Sequence, residues 1–292
     1  MTERKNDKIK GFICVIITAI IFGFTPILGK VSYNGGSNPI MLTFLRTLLI
    51  IPIIWLILVT KKIKIIRSRK ITIQLIIYSI LISVLTTTFL YSAYMYIPVG
   101  LSTIIHYVYP LVVMILCLVF YKEKINKIKI VALVLALIGV WISFNGAGNC
   151  SIKGVIIALL SGIFYGIGLV YYDKSDIKNE DVLLVTFYVC IITSIVLFIY
   201  SMMTNTFTLE LTSKAWIYSV IVSVSVGLIA FTSLQIGIKY IGSSAASIIL
   251  TIEPLSCAIF AVVFLNEPLT LATVMSSIFI LSAVVLLSFY RD

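Results

Sequence analysis

Three ionisable residues, Arg46, His106 and Glu253, fall inside long apolar stretches of the chain. Facing lipid would cost each of them on the order of a few kcal/mol, so all three are expected to face other helices. Glu253 lies ten residues beyond Ser243, where an apolar run begins. At about 1.5 Å per helical residue that is about 15 Å, close to the midplane of a hydrocarbon core about 30 Å thick. Pro254 follows Glu253 directly, and Pro110 follows Tyr109. A proline cannot donate to the carbonyl four residues back. Both helices are therefore expected to kink in mid-membrane, freeing the carbonyls of Leu250 and His106. Two readings of Glu253 follow: protonated packing glue, or a site for a cation or a proton.

His106 would share a helix face with Ser102, Tyr109 and Val113. It is either satisfied by a neighbouring hydroxyl or placed as a substrate contact or proton-responsive group, because imidazole titrates near neutral pH. Arg46, seven residues or about 10 Å into its helix, is a strut between helices or a two-pronged holder for a substrate carboxylate. Tyr107, Tyr109 and Tyr165, with Phe22 and Phe24, suit the wall of an apolar cavity. The expected substrate-binding set is thus Glu253, His106, Tyr109, Tyr107, Tyr165 and Arg46, with Pro110 and Pro254 as hinges. Glu123 and Glu267, at helix starts, suit the helix dipole. The GIFYG segment at 162–166 has the spacing that lets helices approach closely. One His and one Glu are too few ligands for a metal, and no cofactor is expected. The chain has no HExxH, no Ser–His–Asp set and no nucleotide-binding loop, so it is not read as an enzyme.

These residues need helices in lipid to hold them. The 292 residues are 61% hydrophobic and 11% charged, with mean hydropathy +1.16; a soluble domain carries about 25% charged residues. The net charge of +11 is scattered between apolar runs, which excludes a nucleic-acid patch and fits cytoplasmic loops. The five cysteines show no CxxC spacing and read as small apolar residues. The first apolar run, 11–29, is too long for a signal-peptide core and is read as a membrane helix.

Ten apolar runs occur near 11–29, 38–60, 71–95, 101–121, 130–146, 154–172, 182–203, 215–238, 243–265 and 269–290. In lipid the backbone must satisfy its own hydrogen bonds, so each is expected to be a helix. Eighteen Lys and Arg fall in the termini and the loops that would share their side, against Lys30, Lys153 and Lys214 in the others. That asymmetry places both termini in the cytoplasm. The 35–37, 147–150 and 206–209 loops then face outward, and 64–70 and 174–180 face inward.

The chain also repeats itself. Moved by 144 residues, YIPVGLSTIIHYVYPLVVMILCLVFYKEK (96–124) lies without gaps over YIGSSAASIILTIEPLSCAIFAVVFLNEP (240–268). Tyr96, Ile97, Pro110 and Phe120 meet identical residues, and Tyr109 meets Glu253. A shift of 143 superimposes Gly11 on Gly154 and Gly23 on Gly166. The expected fold is an all-α integral membrane protein of ten helices, as two five-helix repeats over 8–146 and 152–290. An odd number of helices per repeat inverts the second copy, an arrangement that transporters use to expose one site to either side in turn.

LTFLRTLL (42–49), the 96–124 stretch and YIGSSAASIILTIEPLSCAIFAVVFLNEPLT (240–270) resemble the ten-helix EamA family of the drug/metabolite transporter superfamily. The resemblance runs nearly the whole chain, helix for helix. It implies two inverted halves around a central cavity that moves amino acids, related metabolites or small drugs, often outward. His106, Tyr107 and Tyr109 before the helix-four proline depart from plainer members. The function expected is a secondary transporter of a small metabolite in a plasma membrane; a passive pore or a non-transporting sensor or scaffold is the alternative. The partners expected are a small-molecule substrate, the lipid bilayer and coupled protons, with no nucleic acid and no obligate protein partner. The abundance of Ile and Lys points to an AT-rich bacterial genome.

Overall fold

A computed structural model describes residues 2–93, 96–97, 102, 105–122, 126–142, 151–265 and 271–288. Glu123, Glu267 and the 147–150 loop lie outside the described residues, as does the side chain of Pro254. Every regular element among the described residues is helical: α1 (Thr2–Asn34), α2 (Pro39–Leu48), α3 (Ile51–Thr60), α4 (Arg69–Ser79), α5 (Thr86–Ala93), α6 (Tyr109–Tyr121), α7 (Lys127–Ile142), α8 (Ile152–Lys174), α9 (Val182–Met203), α10 (Ser213–Val222), α11 (Phe231–Ile249), α12 (Ile252–Leu265) and α13 (Leu271–Ser288). Among the described residues, six stretches are long and apolar enough to cross a bilayer: 6–34, 39–60, 69–90, 152–174, 182–203 and 213–249. α6, α7, α12 and α13 fall in the remaining apolar runs. Large apolar side chains such as Leu56, Val119, Phe120 and Ile199 are exposed on the outer faces, where lipid takes the place of water.

Local chemistry sets several boundaries. Asn38 caps α2 by accepting from the Met41 N–H at 2.8 Å, with Pro39 in the first turn, where its missing N–H costs nothing. Thr212 caps α10 and Asp181 caps α9 in the same way. Gly242 has φ +77°, a left-handed conformation open to glycine at little cost. It breaks the long 213–249 stretch just before Ser243, where the sequence places a new helix.

The two repeats meet through exchanged, equivalent contacts. Gly11 packs on the Tyr240 and Ile241 side chains, and a Cβ there would lie 2.8 Å from Ile241. Gly154, its repeat mate, packs in the same manner on Tyr96–Ile97, with a Cβ 2.8 Å from each. The neighbouring lysines follow suit: Lys10 lies 5.5 Å from the Tyr240 ring centre and Lys153 lies 4.6 Å from that of Tyr96. Each repeat therefore lends its first helix to the other. The π-helical segments Ile80–Leu85 and Ser223–Ala230 also begin 143 residues apart.

The loops associate in the pairs expected from charge. Asn38 donates to the Thr206 carbonyl at 2.7 Å and the Thr212 N–H donates to Gly35 at 3.0 Å, joining 35–38 to 206–212. Arg67 pairs with Glu180 at 2.7 Å and Lys70 with Asp176 at 2.6 Å, joining 64–70 to 174–180.

Candidate functional site

The two proline-bearing helices break where kinks were expected. Residues 107–108 and 250–251 are turns, so α6 starts at Tyr109 and α12 at Ile252. The prolines sit in the first turns of new helices, where a missing N–H is tolerated, rather than inside continuous ones. The expectation of a free Leu250 carbonyl is overturned, because it accepts from the Glu253 N–H at 2.9 Å. The expected shared face of Ser102, His106, Tyr109 and Val113 is likewise interrupted by the turn. Tyr109 and Glu253, repeat mates, each stand in the first turn of a half-helix. An acid suits the positive end of the helix dipole there. Broken helices of this kind are tolerated at membrane depth where protein surrounds them.

α8 holds the first break in place. A Cβ on Gly162 would overlap the His106 carbonyl oxygen and lie 2.8 Å from Val108 Cγ1; one on Gly166 would lie 3.1 Å from the Tyr109 carbonyl oxygen. The GIFYG segment is thus the close-packing stripe expected from its spacing, and its partner is the broken helix. Two side chains follow from this approach. Ser161 Oγ lies 2.9 Å from His106 Nδ1 while donating to the Ala158 carbonyl at 2.6 Å. Tyr165, between the glycines, lies against Tyr109 with ring centres 4.9 Å apart at 90°.

Four aromatic rings form one cluster. His106 lies 5.5 Å from Tyr109 and 5.4 Å from Tyr165, and Tyr107 lies 5.6 Å from Tyr109. These separations are those of favourable aromatic pairs. The Glu253 carboxyl faces the Tyr107 hydroxyl and lies within electrostatic reach of Tyr109 and Tyr165. The three tyrosines are buried, and no Lys or Arg pairs with Glu253 among the described residues. The cluster offers one carboxyl, hydroxyls and ring faces, and no cation of its own.

Arg46 belongs elsewhere. It lies in α2 beside the second π segment, where its carbonyl accepts from Ser223 Oγ at 2.8 Å and lies 2.9 Å from a Cβ built on Gly227. Its Nε is buried without a hydrogen bond, and no hydrogen bond or ring contact joins it to the tyrosine cluster among the described residues. Phe24 is taken by Phe260 and Phe264, at 4.9 and 5.3 Å.

Asp173, which the sequence places just past an apolar run, is part of the helix. α8 continues through Lys174, so Asp173 is helical and only 7% exposed. Its Oδ2 accepts from the Ser243 N–H at 3.1 Å and from Ser243 Oγ at 3.0 Å. It thereby caps the helix that restarts after Gly242, while Lys178 pairs with its other oxygen. The usable sequence signal was the charge itself, one residue past an apolar run that ended with no glycine or proline.

Fold and cluster together define a multi-pass helical membrane protein of two repeats around a polar, aromatic centre, the build of a membrane transporter. The model of the EamA-like transporter family matches residues 9–145 and 152–289, and the chain belongs to that family. A curated relative, "Uncharacterized transporter YvbV" of Bacillus subtilis (strain 168), is 28% identical over 198 residues, 66% of this chain. The match spans 64% of that relative's own length. One protein of known crystal structure superimposes with TM-score 0.83 over 94% of this chain and 95% of its own, at 14% identity, a likeness of fold alone.

Proposed function

We propose that the protein is a secondary transporter that moves a small amine-bearing metabolite, an amino acid or related amphipathic compound, outward across the plasma membrane by alternating access, with both termini cytoplasmic. The observation that carries this reading is the Glu253 carboxyl facing Tyr107, Tyr109 and Tyr165, with no Lys or Arg paired to it among the described residues. An ammonium group suits such a place twice: it pairs with the carboxylate and lies against ring faces with the attractive quadrupole. Keeping an acid at this depth is costly, and function is the default explanation. The half-helix starts at Tyr109 and Glu253 come one from each repeat, so rocking of the repeats would remake the site from the other side.

The test is uptake and counterflow of radiolabelled amino acids and aliphatic amines in vesicles containing the purified protein. Wild type should saturate and show counterflow; a pore or a non-transporting sensor shows neither. Glu253→Gln keeps the shape and removes the charge. Loss of a charged hydrogen bond worth about 1.5–3 kcal/mol predicts about 10- to 150-fold weaker affinity. Wild-type affinity and wild-type pH dependence from this variant would reduce Glu253 to packing.

A further inference from the structure

A second polar group lies between the tyrosine cluster and the 64–70/174–180 face. Gln235 of α11, Tyr78 of α4 and Tyr172 of α8 are each 0% exposed, and Ser83 of the first π segment is 1% exposed. The hydroxyls of Tyr172 and Ser83 lie buried without hydrogen-bond partners, and the Tyr78 hydroxyl and both amide atoms of Gln235 are buried with no bond closer than a long contact between Tyr78 and Gln235. Three of the groups are linked through Tyr78, and Ser83 stands five residues further along the same helical stretch. The Tyr78 and Tyr172 rings are 5.3 Å apart, and Tyr78 faces Gln235 and is in electrostatic contact with Tyr165 of the Glu253 cluster. At the other end, Gln74, one turn before Tyr78, donates to Asp176 at 3.4 Å, at the edge of the paired loops.

Buried amides and hydroxyls are almost always satisfied, and each one left unsatisfied costs about 1–3 kcal/mol. Five buried polar atoms from four elements, with one long contact between Tyr78 and Gln235 to share among them, are more than strain accounts for. Each element brings a different capability: the amide donates and accepts, and the hydroxyls do either. That is the mixed set of partners that buried water requires, with two to four bonds per molecule. No charge is present among them, which argues against an ion.

We infer that Gln235, Tyr78, Tyr172 and Ser83 form a binding site for ordered water that continues the Glu253 cluster toward the 64–70/174–180 face. The bound water satisfies the orphan atoms and gives the centre of the protein a polar path to that side. The inference stands on these four residues whether or not Glu253 binds an amine.

Hydroxyl-radical footprinting tests it directly, since radicals produced from water by an X-ray pulse oxidise side chains that touch water, buried or not. The full-length protein in lipid nanodiscs would be pulsed and digested, and oxidation read by mass spectrometry. Tyr78 and Tyr172 should be modified despite their burial. Met41, also 0% exposed but packed with Phe44, Leu45 and Leu197, should stay protected although its sulfur is more reactive. Gln235→Leu should cut Tyr78 and Tyr172 modification several-fold; Tyr78→Phe should do the same at Tyr172 and serves if the leucine variant does not fold. Protection of Tyr78 and Tyr172 equal to that of Met41 would overturn the site. So would a Gln235→Leu variant that melts higher than wild type, because that is the result of removing an amide that had no water to lose.

Discussion

Gly162→Ala should damage the protein out of proportion to one methyl group. The added Cβ would overlap the His106 carbonyl oxygen, with Val108 Cγ1 at 2.8 Å and the His106 carbonyl carbon at 3.2 Å. Two of those three atoms are backbone and cannot swing away. α8 must move off, or the 107–108 turn must move. Overpacking of this kind costs about 1–3 kcal/mol, or a melting-point fall of roughly 2–12 °C at the 2–4 °C per kcal/mol of a large domain. The same displacement carries Ser161 away from His106 and Tyr165 away from Tyr109, so transport should fall further than stability. Gly29→Ala is the control, since its nearest neighbour would be at 3.5 Å, an ordinary contact. Thermal melting in detergent and uptake into vesicles give the two readouts. If Gly162→Ala matches Gly29→Ala in both, the close approach of α8 to the broken helix is wrong.

Pro110→Ala and Pro254→Ala should let the broken helices reconnect and so slow transport more than they weaken binding, by shifting the balance of states; equal losses of affinity and melting temperature would leave the prolines a packing role only. Asp173→Ala should lower stability by about 1–3 kcal/mol, because the Ser243 N–H and hydroxyl lose their acceptor while Lys178 can turn to solvent, and Asp173→Asn should lose less; a melt of the alanine variant within about 1 °C of wild type would refute the capping role. The hydrogen bond and charge of Lys70 hold the Asp176 carboxyl below its ordinary range. A lowered carboxylate keeps its contact at neutral pH and loses it only as pH falls through that lowered value. In a Glu180→Gln background, spin labels at Ile66→Cys and Asn179→Cys should therefore hold a narrow distance distribution down to the ordinary Asp value of about 3.9; broadening near pH 6 would assign the contact to another group.

Much of this architecture is legible in one dimension because lipid imposes it. A bilayer of fixed thickness demands apolar runs of about 20 residues, and unpaired backbone in hydrocarbon leaves the helix as the available form. The repeat was visible as Tyr96–Ile97 over Tyr240–Ile241 and Gly11 over Gly154, and the structure shows why these residues recur: each glycine receives the other repeat's Tyr–Ile corner. His106, Tyr107, Tyr109 and Glu253 could be picked out because a polar or bulky aromatic side chain close before a proline in an apolar run stands out against Ile and Leu, and Tyr165 as an aromatic suited to a cavity wall. Arg46 stood out equally, and only the packing of α2 on the second π segment separated it from them.

What the sequence could not decide is which faces meet. A helix apolar on every side carries little periodic signal, since lipid tails are as apolar as a protein core and do not distinguish the two. Asp173 therefore looked like the first residue of a loop until Ser243 was found across from it. Gln235, Tyr78 and Tyr172, scattered over 158 residues of chain, had no reason to be grouped until α4, α8 and α11 brought them together. The prolines announced a disturbance, but whether a helix bends or breaks depends on what receives its carbonyls. The His106 carbonyl packs against Gly162 of another helix, whereas the Leu250 carbonyl accepts from the Glu253 N–H three residues on.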